Sequence, residues 1–326
     1  MRIIVTGSSG HLGEALMRTL RAQGHEAIGV DIRPASYTDR VGTLVDAAFV
    51  HEAIAGADAV IHPATLHKPH VATHTPQAFV DTNISGTLNV LEACVAQRVK
   101  ALVFTSTTST FGAALVPPPG EPAAWIDEDV RPVPKNIYGV TKIAAEDLCE
   151  LFHRRHALPC LVLRTSRFFP EADDSADVRE AYADDNTKVN ELLYRRVDIA
   201  DVVDAHLLAI GKAPALGFDR FVISAATPFT RGDTAQLRHD APGVAARYFP
   251  EYADEYACRG WRLFPAIDRV YSSEKAVRML GWTPRHGFGE ALAQLREGRD
   301  WRSPLAQTIG AKRYHAEAFA HGPYPV

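Results

Sequence analysis

The sequence predicts an α/β protein built on a doubly wound parallel sheet, with a smaller lobe formed mostly by its C-terminal third. Three observations predict it. Short β-rich runs alternate with helix-patterned runs over the first two thirds of the chain. A glycine-spaced turn, Gly7-Ser8-Ser9-Gly10-His11-Leu12-Gly13, follows the first of these runs directly. Beyond Ala225 the alternation gives way to short segments broken by proline and glycine.

The elements follow in order. Arg2–Thr6 is a short β-rich run, and His11–Gln23 carries Leu12, Leu16 and Leu20 on one helical face. Glu26–Asp31, Thr43–Val45 and Ala57–His62 read as strands. Gln77–Gln97 is a long helical stretch interrupted only by Gly86. Ala101–Thr105 is the fifth strand, Tyr138–His156 a helix and Cys160–Arg164 the sixth strand. Val197–Ile210 then reads as a helix and Phe218–Ile223 as a strand. Val116–Pro122 is the densest breaker run and is expected to be a rigid surface loop. Residues 227–267 match no pattern.

Composition narrows the function classes. The chain has 326 residues, enough for two lobes, with 46% hydrophobic and 23% charged residues, which excludes a disordered chain. A net charge of −4 supplies no global basic field, so neither nucleic acid nor an anionic membrane is the expected partner. Cys94, Cys149, Cys160 and Cys258 form no CxxC pair and read as reduced thiols. No apolar run approaches the roughly 20 residues needed to cross a bilayer. Met1-Arg2 runs straight into Ile3-Ile4-Val5 without a targeting segment, so a soluble cytoplasmic protein is the expectation.

The glycine turn carries the first chemical signal. Gly7 allows the tight turn, Gly10 lets backbone approach a pyrophosphate, and Gly13 lets the helix pack close to the strand. The amides near Ser9, His11 and Leu12 then face the anion at a helix start. Such a turn, placed between strand and helix, implies a Rossmann-type dinucleotide domain over residues 1–165 and about 197–225. Residues 166–196 and 226–326 are left for the smaller, substrate-binding lobe. Asp31 ends the second strand, where a carboxylate accepts hydrogen bonds from a ribose diol and repels a 2′-phosphate. That favours NAD over NADP, although Arg33, beyond Ile32, can pair with such a phosphate. Asp46, before Ala47, is readable either as an adenine contact or as a helix cap.

The second signal is Tyr138-Gly-Val-Thr-Lys142, whose spacing of four puts phenol and ammonium on one helical face. A phenol titrates near pH 10, too high for a base at neutrality, and a neighbouring cation favours its ionised form. Tyr138 then exchanges a proton with a substrate hydroxyl while Lys142 also bonds the nicotinamide ribose. A hydroxyl from the end of the fifth strand completes the set, and the run Thr105-Ser106-Thr107-Thr108-Ser109-Thr110 offers six candidates that periodicity does not separate.

Together these pieces resemble the extended short-chain dehydrogenase/reductase family, the NAD-dependent epimerase/dehydratase group. The matching segments are 6–13 (TGSSGHLG), Asp31, 60–64 (VIHPA), 83–93 (NISGTLNVLEA), 104–112 (FTSTTSTFG), 138–142 (YGVTK), 197–206 (VDIADVVDAH) and 280–284 (LGWTP). The resemblance implies NAD as cofactor, a sugar or nucleotide sugar as substrate, and a homodimer packed through helices near 80–97 and 138–156. It places the catalytic hydroxyl on Thr107, with Thr105, Ser106 and Thr165 near the cofactor and Pro63, Ala64 and Thr65 in the turn after the fourth strand. Asn83 then ties that turn to its helix.

Three departures matter. Thr108 and Ser109 stand where the 4,6-dehydratases carry Asp-Glu, so such a dehydratase is not expected. Arg167 replaces an asparagine that touches substrate in the epimerases, and an arginine suits phosphate or carboxylate. The turn after Thr65 is rich in histidine and charge, which makes His67 and Lys68 candidate substrate contacts, together with Thr108, Ser109 and Arg196. No acid or cysteine interleaves His62, His67, His70 and His74, so no metal site is expected. Within the resemblance, epimerisation and simple dehydrogenation both stay open. A non-catalytic NAD(P) sensor fits less well, because Tyr138, Lys142 and Thr107 are all present.

Overall fold

The structure, a computed structural model, describes residues 1–312 and residue 319. Seven parallel strands make the main sheet: β1 (Arg2–Thr6), β2 (Glu26–Asp31), β3 (Arg40–Val41), β4 (Ala59–His62), β5 (Ala101–Thr107), β7 (Cys160–Thr165) and β8 (Phe218–Ile223). A separate strand β6 (Ala124–Ile126) pairs in parallel with β9 (Arg269–Tyr271). The order in the main sheet is β3-β2-β1-β4-β5-β7-β8. The chain first winds outward from β1 and then returns to β4 on its other side, so the crevice beyond β1 and β4 is the switch point where ligands of such sheets bind.

Alternate residues of each central strand face opposite cores. Ile3 and Val5 of β1, Val103 of β5 and Leu161 and Leu163 of β7 enter one core with α1 (His11–Ala22) and α8 (Ile199–Leu216). Ile4, Leu102, Phe104 and Val162 enter the other, beneath α2 (Ala47–Ile54), α4 (Gly86–Ala96) and α5 (Ile137–His156). Burial on both faces explains why these strands read as continuous apolar runs.

The third strand is corrected. Thr43–Val45 does not pair; β3 is Arg40–Val41, held by Val30↔Arg40 and Asp31↔Val41. The reason is local, since Thr43 Oγ1 accepts from the Val45 amide at 3.2 Å and its carbonyl accepts from the Asp46 amide at 3.2 Å. Those groups form a turn and are lost to the ladder. The 77–97 stretch starts at Pro76 with α3 (Pro76–Phe79), passes through a π-helical turn over Val80–Ser85 and continues as α4. Gly86 sits where α4 closes on Leu44, whose Cβ would lie 3.1 Å from an added Cβ.

A third apolar core collects α7 (Asp184–Glu191) and the residues just after it with segments from the last third. The unread interval holds α9 (Thr234–Leu237), α10 (Ala241–Tyr248) and α11 (Tyr252–Arg259). Leu237, Val244, Tyr252 and Tyr256 pack there against Leu193 and Phe288. A short helix α6 (Ala176–Ala181) precedes α7, and α12 (Glu274–Leu280), α13 (Phe288–Arg296) and α14 (Pro304–Ile309) complete the described chain. The part of the expected lobe at 313–326, residue 319 apart, lies outside the described residues. Among the described residues no helix is long and apolar enough to cross a membrane.

Candidate active site

The glycine turn leaves β1 and enters α1 at the switch point. Gly7 has φ +65°, and a Cβ there would meet Ala64 Cα at 2.9 Å, so the turn presses against the chain leaving β4. Ala64 is also held by its amide donating to Thr6 Oγ1 at 3.3 Å. A Cβ on Gly13 would fall 1.9 Å from the Gly7 carbonyl oxygen. Gly10 starts α1 without a capping side chain, and the Ser9 hydroxyl is buried without a hydrogen-bond partner. A glycine cradle and an orphaned hydroxyl at a helix start fit an anionic diphosphate. Asp31 braces the same turn, accepting from the Ser9 amide at 2.9 Å and the Arg33 amide at 3.0 Å. Ile32 is 67% exposed beside it. Asp46 caps α2, its Oδ1 accepting from Ala48 and Phe49 at 3.0 and 3.1 Å, and Ala47 opens the helix.

His11 is packed against Phe169 and accepts from the Lys312 amide at 2.9 Å, and burial pushes its pKa down to about 4. His62 is fully buried between Thr6 at 2.7 Å and Thr87 at 3.1 Å, and burial pushes it down to about 3. It is therefore a neutral core imidazole, apart from His67, His70 and His74, whose rings meet edge to face in sequence. Among the described residues no group of three or more His, Cys, Asp or Glu is placed to hold a metal ion.

Asn83 sits in the π-helical turn, a distortion that recurs at functional sites. Its Oδ1 accepts from Thr65 Oγ1 at 2.9 Å and the Leu66 amide at 2.8 Å; its Nδ2 donates to the Leu66 carbonyl and to Thr141 Oγ1. One buried side chain thus joins the turn after Pro63-Ala64-Thr65 to helix α5.

Tyr138 and Lys142 lie in the first turns of α5, which Asn136 caps through the Gly139 amide at 3.0 Å. The Thr107 side chain lies against the Tyr138 hydroxyl. Burial pushes the phenol up to about 12, while the Thr107 contact acts in the opposite direction. Lys142 Nζ donates to the Thr105 carbonyl at 2.7 Å and lies 3.9 Å from the Phe104 ring centroid. Burial pushes its pKa down to about 7, against the pull of the Glu146 carboxylate. Thr107 also caps the short turn Thr108–Thr110 by accepting from the Ser109 amide at 3.0 Å. Of the six hydroxyls in the run, Thr105 is engaged by His206 at 2.8 Å, Ser106 donates to Glu146 at 2.5 Å, and Thr110 donates to the Thr107 carbonyl at 2.8 Å. Thr165 Oγ1 donates to the Ser106 carbonyl at 3.0 Å.

The match to a family model decides the lineage: it covers residues 3–223 and is described as the NAD dependent epimerase/dehydratase family. The chain belongs to that family. Its cofactor is accordingly NAD, and the resemblance drawn from the motifs holds for the NAD dependent epimerase/dehydratase fold as well. Among curated relatives, UDP-glucose 4-epimerase of Rhizobium leguminosarum bv. trifolii is 26% identical over 338 residues, covering 94% of this chain and 98% of its own. dTDP-glucose 4,6-dehydratase of Streptomyces antibioticus is 26% identical over 344 residues, covering 94% and 95%. Similar solved structures include MoeE5 in complex with UDP-glucose and NAD, with TM-score 0.62 and 22% identity over 92% of this chain and 98% of that one. A mutated uronate dehydrogenase has TM-score 0.62 and 20% identity over 91% and 86%.

The charged candidates form one network. Lys68 pairs with Asp174, and burial pushes its pKa down to about 8. Arg167 pairs with Asp173, with Asp174 at 2.7 Å and with Glu191 at 3.1 Å. Arg196 is buried, donating to Glu191 at 2.8 Å and the Phe169 carbonyl at 2.9 Å. Burial works against the Glu191 charge, yet Arg195, Arg196 and Arg167 hold its carboxyl well below the usual range. A cavity of about 330 Å³ is lined by Arg195, Arg238 and Arg269 together with the Asp268 carboxylate, beside Tyr194 and Phe264. The Nε atoms of Arg195 and Arg269 are buried without hydrogen-bond partners. The motif reading passed over Arg238, because nothing near it in sequence shows that it returns to this cavity.

Proposed function

We propose that this chain acts on a hydroxyl of a sugar or nucleotide sugar with NAD, using Tyr138 as proton acceptor and donor. The observation that carries this is that the Tyr138 hydroxyl lies beside Thr107 while Lys142 Nζ, one helical turn on, reaches the Thr105 carbonyl, both at the end of β5 two strands from the glycine turn. Gly7, Ser9, Gly10, His11, Leu12 and Gly13 would hold the diphosphate of NAD and Asp31 its adenosine ribose, with the turn 63–65 and Asn83 toward the nicotinamide end. NAD bound there would supply the hydride acceptor for the substrate carbon and the means to return it. Thr107 orients the substrate oxygen, and Tyr138, held as the phenolate by the neighbouring Lys142 ammonium, takes its proton and becomes the neutral phenol. The arginines of the cavity beside Tyr194 suit the anionic portion of a nucleotide sugar or a uronate. Thr108 and Ser109 supply no carboxylic acid to expel water, which weighs against dehydration.

Epimerisation retains NAD and gives no net NADH, whereas dehydrogenation accumulates it. Incubation with NAD and a panel of UDP-sugars, free sugars and uronates, following NADH absorbance and product stereochemistry, separates the two. Turnover of at least one panel member is expected. Tyr138→Phe should reduce it at least a hundredfold while leaving NADH binding within about threefold, and full activity in that variant removes Tyr138 from the reaction.

A further inference from the structure

On α5 the side chains of Tyr138, Lys142 and Glu146 follow at steps of four, which stacks them along one helical face. The third member takes no part in the chemistry assigned so far. Glu146 is 1% exposed. Its Oε1 accepts from the Ser106 hydroxyl at 2.5 Å and from Arg164 Nε at 3.1 Å. Its Oε2 accepts from Arg164 Nη2 at 2.7 Å and Arg220 Nε at 3.2 Å. The two arginines come from β7 and β8, so three neighbouring strands and one helix converge on a single carboxylate.

A buried ion pair is a poor source of net stability, because desolvation offsets most of the attraction. Here the pair lies directly behind two groups assigned to the site. One is Ser106, which stands between Thr105 and Thr107. The other is Lys142, one helical turn away. Lys142 is 1% exposed and faces the Thr105 carbonyl and Phe104 ring from β5, the neutral His62 from β4, and Tyr138 and Cys149 from its own helix. Glu146 is the carboxylate that acts on it. It stands eight residues from Tyr138, about 12 Å along the helix axis, so it acts on Lys142 more strongly than on the phenol.

We propose that Glu146 is a positioning residue for the chemistry at Tyr138: clamped by Arg164 and Arg220, it fixes the Ser106 hydroxyl and biases the Lys142 side chain toward its charged form in a dry site. This rests on the assignment of Tyr138 and Lys142 above, but its test does not require a known substrate. The chain has eight lysines, few enough for ε-¹³C-lysine labelling to resolve each, with Lys142→Met assigning the one of interest. Titrating the full-length protein with NAD bound then reports the charge of Lys142 directly.

In Glu146→Gln the Lys142 resonance should titrate about one pH unit lower than in the parent protein. With a parent midpoint near 7, the charged fraction at pH 8 falls about ninefold. Glu146→Gln leaves Arg164 unpaired and risks misfolding, so Glu146→Gln combined with Arg164→Met is measured alongside it and should shift in the same direction. On any substrate that the parent turns over, the alkaline limb of kcat should move down by the same amount with KM unchanged. An unchanged Lys142 midpoint in the folded double variant overturns the proposal. Loss of folding in both variants, judged by circular dichroism, makes Glu146 a purely structural residue and overturns it as well. If the parent turns over no panel substrate while the Lys142 shift is present, the functional assignment fails and the electrostatic coupling stands.

Discussion

Replacing Gly13 by alanine tests how the cofactor turn is built. The added Cβ would sit 1.9 Å from the Gly7 carbonyl oxygen, 2.7 Å from Gly7 C and 2.8 Å from Ser8 Cα. All three atoms are backbone, so none can rotate away. Ordinary contact begins at 3.4 Å, and 3.4 less 1.9 requires 1.5 Å of separation between α1 and the turn. Overpacking of this kind costs about 1–3 kcal/mol. At roughly 2 °C per kcal/mol for a chain of this size, Tm should drop by about 2–6 °C. The same displacement pulls the helix-start amides from the diphosphate, and losing one hydrogen bond to a charged group, about 1.5–3 kcal/mol, weakens NAD at least tenfold. Scanning fluorimetry and an NADH fluorescence titration measure both. Gly211→Ala is the control: it lies inside α8 with nothing within 4 Å of its Cβ, and should gain about 0.8–1 kcal/mol from helix propensity. A Gly13→Ala protein with unchanged Tm and NAD affinity would refute this account of the turn.

Further outcomes are expected. His62 and His206 are fully buried, with pKa values lowered by burial to about 3 and about 4. The unfolded chain therefore binds more protons between these values and 6.5, so the stability they contribute is complete above pH 6.5 and is lost as pH falls through that window. Each histidine removes about 1.4 kcal/mol per pH unit there, and urea unfolding at pH 7.5 and 5.5 should show the loss, with His62→Gln reducing the slope by about one proton. Asp31→Asn keeps only one oxygen for the Ser9 and Arg33 amides. It should weaken NAD about tenfold and raise the NADP-to-NAD affinity ratio, as read by paired titrations. If the chain dimerises through α4 and α5, light scattering should give twice the monomer mass, and Val140→Glu, at a position 47% exposed on α5, should halve it.

The parts of the site that depend on short sequence distances were legible. The glycine turn and the Tyr138–Lys142 step are local, and each constrains backbone spacing tightly enough to be seen in one chain. Thr107 was singled out among six adjacent hydroxyls by the family resemblance and not by periodicity. In the structure His206 takes Thr105 and Glu146 takes Ser106, partners that lie far away in sequence and that no local pattern shows. Glu146 itself left a signal, since the four-residue step from Tyr138 to Lys142 continues to it. Helices α9 to α11 were missed because segments of four to eight residues complete too few turns to show a period. The misplaced third strand has the same origin: Val41 and Val45 are both apolar and exposed, and only pairing with Asp31 distinguishes them.

The pairing of Ala124 with Arg269, and of Ile126 with Tyr271, has a consequence for how this architecture can diversify. A ribbon of residues that leaves between β5 and α5 is stitched to one that arrives 145 positions later (269 less 124). Neither piece can be excised, transplanted or expressed alone without leaving an unmatched edge.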